Sequence, residues 1–172
     1  MWWGAALVAA GIVTGLAFHG RRPDTSLARF EAAGVMLAIA PATVTEVVVT
    51  QGDRRWRFER AGPKAWATGP GTMAGEQVGS QIESGLRFLH ASPPQRVLEP
   101  GELADSARSE FGLEPPRFSV TVRSSAGHPF SIDFGVRNAQ GLAQYAHVAG
   151  RAEVVLLPGF VGESWEAVMS TR

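Results

Sequence analysis

Apolar and polar residues alternate most clearly between Phe111 and Gly135. Phe118, Val120 and Val122 alternate with Ser, Thr and Arg, and Phe130, Ile132 and Phe134 repeat the pattern. A period of two describes strands with one face buried, so two antiparallel strands are predicted, joined through Ser124-Ser125-Ala126-Gly127-His128. The same pattern, around the turn residues Gly52 and Asp53, predicts a hairpin from Thr43 to Gln51 and Arg54 to Arg60. Trp66 closes a short third strand before a glycine-rich loop, Gly69 to Gly75. The period then changes: Val78, Ile82, Leu86 and Leu89 fall on one stripe of a helix over Ala74–His90, stopped by Ser92-Pro93-Pro94. Short helical turns follow over Gly101–Glu110. Strands at Ala143–Val148 and Glu153–Leu157 complete a four-stranded antiparallel meander, and Val161, Trp165 and Val168 form the stripe of a terminal helix.

Ahead of this pattern, Trp2–Phe18 carries no charge. As a helix it would extend about 26 Å at about 1.5 Å per residue, short but usable for a bilayer core. Trp2 and Trp3 suit one membrane interface and Arg21 and Arg22 the other. Gly11 and Gly15 give the G-x-x-x-G spacing that lets a second helix approach. A cleaved signal peptide is the rival, disfavoured because no basic residue precedes the run and no small-x-small site follows it. The expected organisation is α+β: a transmembrane anchor (1–20), a linker (21–42) and a single domain (43–172) with an N-terminal hairpin, an amphipathic helix, the meander and a C-terminal helix. The apolar piece Val35–Ala40, too short for a second span, reads as an edge strand or a segment lying on the domain.

Charge and chemistry narrow the function classes. Lys plus Arg and Asp plus Glu number 16 each, so no net field draws the chain to nucleic acid. With Cys 0, disulfides, thiolate metal sites and thiol nucleophiles are excluded. His19, His90, His128 and His147 lack metal-ligand spacing, so no metal site is expected. Gly162-Glu163-Ser164 is not a nucleophile elbow; its serine reads as solvent-facing at the start of the terminal helix. Gly69-Pro70-Gly71 lacks the lysine of a phosphate loop. Glu110 with Glu114, and Glu163 with Glu166, read as solvated acids rather than acid–base pairs. Trp56 and Phe58 alternate with Arg55, Arg57 and Glu59. That interleaving can serve phosphate or nucleic-acid binding, but core aromatics beneath a solvated basic face explain it more simply.

The run FGLEPP, the hairpin after it, Tyr145 in the next strand and EVVLLP beyond resemble the uncharacterised bacterial family known as domain of unknown function 4340. The Lys64-Ala65-Trp66 strand end fits the same likeness, which covers about residues 42–170 and has Phe111, Gly112, Leu113 and Pro115 as its signature. The resemblance implies a membrane-anchored accessory protein, some members being linked to ABC-type transport and gliding motility, and supplies no catalytic residue. It also implies a periplasmic domain at the bacterial cytoplasmic (inner) membrane. The positive-inside rule applied to Arg21, Arg22 and Arg29 favours a cytoplasmic one; we prefer the periplasmic placement because a short span with few flanking charges is weakly oriented. The expected function is a non-enzymatic, single-pass accessory or scaffold subunit, without cofactor, contacting membrane lipid and integral membrane partners. The alternative is an extracytoplasmic small-molecule or glycan-binding module, with Trp56, Trp66, Tyr145 and Trp165 able to line a pocket.

Overall fold

Val47 and Val49 need a partner surface on one side and Val48 needs cover on the other, which makes β1 (Val44–Gln51) a central strand. In the computed structural model, which describes residues 33–103, 107–125 and 127–170, β1 has neighbours on both edges. It pairs antiparallel with β2 (Arg54–Arg60) through the turn at Gly52, and with β6 (Phe118–Ser124). From β2 the sheet continues to β3 (Trp66–Gly69) and β4 (Thr72–Met73); from β6 it continues through β7 (Phe130–Arg137), β8 (Ala143–Val148) and β9 (Val154–Pro158) to β5 (Arg96–Leu98). The order is β4-β3-β2-β1-β6-β7-β8-β9-β5, with antiparallel pairing between all neighbours.

This corrects the expected architecture. The four strands β6–β9 do not stand apart as a meander; β1 along β6 and β5 along β9 make them part of one nine-stranded sheet. Period-two patterning identifies strands but not which edges meet, so the join was not predictable from it. The transmembrane helix is not part of the observed fold either: among the described residues no helix is long and apolar enough to cross a membrane. The stretch 2–18 that suggested it, with Trp2, Trp3, Gly11, Gly15, Arg21 and Arg22, lies outside the described residues.

Two helices cover one face, α1 (Glu76–Ala91) and α3 (Gly159–Ser170); a short α2 (Ala107–Glu110) lies between β5 and β6. Ile82, Leu86 and Leu89 of α1 and Val161, Trp165 and Val168 of α3 join Val47, Val49, Phe58, Val120, Ile132 and Phe134 of the sheet in one buried cluster. Burying side chains of this size contributes about 2 kcal/mol each. Phe118 and Phe134, opposite each other on β6 and β7, stack at 4.7 Å between centroids.

Residues 33–42, assigned from the sequence to a linker, pack into this core. Val35 and Met36 are 4% and 1% exposed. Gly34 and Met36 donate backbone hydrogen bonds to the last carbonyls of α1, His90 and Leu89, both at 3.0 Å, which a helix end leaves free. Arg60 fixes the other side: its Nε donates to the Val44 carbonyl at 2.6 Å, Nη2 to the Pro41 carbonyl at 3.0 Å, and Nη1 to Glu83 at 2.7 Å. Trp66 Nε1 donates to the same Glu83 oxygen at 3.0 Å.

Candidate functional site

The signature run is a clip on the sheet face opposite the helices. The Gly112 amide donates to Ser109 and the Leu113 amide to Arg108, at 2.9 and 2.8 Å. With Gly112 at φ +64°, this is the glycine-closed cap that ends α2. The chain is then pinned to β7, where Val136 donates to the Phe111 carbonyl at 2.8 Å. A side chain at Gly135 would collide with that carbonyl, so the clip needs a glycine beneath it. Phe111 stacks on Tyr145 at 4.1 Å, and Leu113 joins Leu98 and Val154 in a second, smaller cluster. The Glu114–Pro115 peptide is cis. Phe111, Gly112 and Leu113 thus lie in a cover over β7–β9 held by ring stacking, apolar packing and backbone hydrogen bonds, while Pro115 is exposed.

Beside the clip, the same face carries a set of chemically capable side chains that sequence spacing did not suggest. Ser119 Oγ donates to Asp133 at 2.6 Å, and His147 Nδ1 lies 3.9 Å from the other oxygen of Asp133. Three types found in hydrolase triads meet, but in the wrong order. Nucleophile activation needs serine bonded to histidine; here serine is bonded to aspartate, and His147 Nε2 donates to the Arg151 carbonyl at 2.8 Å. The three lie on neighbouring strands, with Asp133 opposite both Ser119 and His147, a register no single-chain motif encodes. Thr121 and Ser131 bond at 3.0 Å, and Arg57 and Arg123 both reach Glu46, at 3.1 and 3.4 Å. These polar groups of the open face are therefore bonded to one another.

The other sequence candidates separate. Glu163 and Glu166 are held together by Arg137, at 2.8 and 3.1 Å, forming an ion-pair clasp between α3 and β7. Glu114 pairs with Arg108 at 3.7 Å. Ser164 does not face solvent at a helix start; it is half-buried within α3 and donates to the Val161 carbonyl at 2.7 Å. His90 Nδ1 donates to the Met36 carbonyl at 3.3 Å. No group of three or more His, Asp or Glu among the described residues is placed to hold a metal ion. Trp66 and Trp165 are 1% and 0% exposed, so neither can line an open aromatic pocket.

An apolar groove of about 760 Å³ opens where the 35–40 segment crosses the end of the sheet. Leu37, Ile39, His128, Pro129, Phe130 and Val148 are among the residues that line it. Arg151 anchors the crossing by donating to the Val35 carbonyl at 3.3 Å. Leu37 stays 53% exposed, although its neighbours Val35 and Met36 are buried. The sequence signal was the short apolar piece before Pro41; its docking site was not readable, because it is assembled from α1, β7 and β8.

No protein-family model, no curated protein and no solved structure matches the chain.

Proposed function

We propose that the chain is a non-enzymatic accessory or scaffold subunit of a membrane protein complex, and that it works by receiving an apolar segment of a protein partner in the groove beside Leu37. The observation that carries this reading is the groove itself. It is concave and mainly apolar, the composition of a patch that excludes water against a partner. The uncharged run Trp2–Phe18 supports a membrane setting, and the likeness of FGLEPP to the accessory family supports a transport-related complex. The polar groups on the open sheet face are bonded to one another, an arrangement better suited to a stable scaffold surface than to acid–base work.

The test is purification of the tagged native protein in mild detergent, comparing wild type with Leu37→Asp. Because Leu37 is 53% exposed, the substitution should change stability by no more than about 0.5 kcal/mol. The expected result is a stoichiometric partner held by the wild type and lost from the variant. A solitary chain, or equal retention by both, overturns the reading.

A further inference from the structure

Every arginine among the described residues bonds a carboxylate, hydroxyl or carbonyl except Arg54, Arg55 and Arg117. Those three line one cleft, of about 820 Å³, at the opposite end of β1 from its junction with Pro41. Strand register assembles them. β1 ends between the start of β2 and the start of β6, with Gln51 opposite Arg54, and Thr50 opposite both Arg55 and Ser119. Gln51, half-buried Trp56, Phe118 and the last turns of α3 complete the wall.

The charge balance in the cleft is positive. Its one carboxylate among the described residues, Glu166, is already bonded to Arg137 at 3.1 Å. The carbonyl end of α3 offsets part of the field, but among the described residues the three guanidinium groups have no counter-charge. Guanidinium forks match the paired oxygens of phosphate and carboxylate, and a concave wall of one sign concentrates the opposite ion. Trp56 adds a flat apolar surface, and the volume lies within the roughly 300–1,000 Å³ of small-molecule sites.

We propose that this cleft binds a small phosphate ester, with the phosphate among Arg54, Arg55 and Arg117 and an apolar or flat portion on Trp56. The ester can be a free small molecule or a phospholipid headgroup, since both present the same oxyanion. The site is separate from the groove at Leu37, so either proposal can fail without the other.

The experiment titrates the full chain with phenyl phosphate, with inorganic phosphate, and with vesicles of phosphatidylcholine and phosphatidylglycerol in equal parts, following tryptophan fluorescence and co-sedimentation. Phenyl phosphate should bind more tightly than inorganic phosphate, with a signal that Trp56→Phe removes. Arg54→Ala and Arg117→Ala should each weaken binding about tenfold, at unchanged melting temperature because neither side chain has a partner to lose among the described residues. Arg87→Ala, on the exposed side of α1, should bind like wild type. If vesicles alone bind and the same two arginine variants weaken that binding while Arg87→Ala does not, the ester is a lipid headgroup and the site stands. If nothing binds, or if Arg54→Ala and Arg117→Ala bind as Arg87→Ala does, the proposal is overturned.

Discussion

Arg60 and Glu83, 14% and 19% exposed at their side chains, join β1, β2, the 33–43 segment and α1 through one guanidinium and one carboxylate. Glu83 also accepts from Trp66, whose ring carries the Arg60 guanidinium at 4.4 Å from its centroid. Glu83→Ala strands both a cation and an indole N–H, so a loss of about 3 kcal/mol is expected. Equilibrium urea unfolding at constant slope measures it. A loss below about 0.5 kcal/mol, the level of an exposed pair, would show that the network contributes little. Gly135→Ala is expected to act locally instead: its new Cβ meets the Phe111 carbonyl, lifting the clip. Faster amide exchange at Leu113 and Val136 with little change in β1 is the outcome to look for. At this scale the sequence was partly legible. Buried Phe58 and half-buried Trp56 could be read from alternation, because a strand's period is local. The partners of Arg60, and the meeting of Ser119, Asp133 and His147, could not, because they come from segments far apart in the chain.

Helix packing decides the next scale. Gly85 of α1 faces Trp165 of α3 so closely that a Cβ would lie 2.7 Å from two ring carbons. Alanine favours a helix over glycine by about 1 kcal/mol, yet overpacking against a rigid, fully buried indole costs about 1–3 kcal/mol. Gly85→Ala is therefore expected to lower the melting temperature and alter the near-ultraviolet signal of Trp165. A more stable protein with an unchanged spectrum would contradict the close approach. The long elements were the legible ones, since the stripe of Val78, Ile82, Leu86 and Leu89 repeats often enough to fix a period. The two-residue β4 and three-residue β5 were not predicted; strands that short contain no repeat, and tertiary pairing alone makes them strands. As edges they leave little backbone open to another sheet.

For the molecule as a whole, the join of β1 to β6 converts a hairpin and a run of four strands into one sheet with two helices on a single side. Its trace in the sequence was Val47-Val48-Val49, consecutive apolar residues where a one-faced strand would alternate. The groove was legible only as an unplaced apolar piece, because its walls belong to three separate parts of the chain. Its role in holding a partner is the claim on which the functional account rests. Leu37 and Val97 are similarly exposed apolar residues, at 53% and 43%, but only Leu37 lines the groove. A photo-crosslinking amino acid placed at each position in the native complex therefore separates a specific seat from general stickiness. The account predicts one discrete protein adduct from position 37 and none from position 97; no adduct from 37, or the same adducts from both, would contradict it.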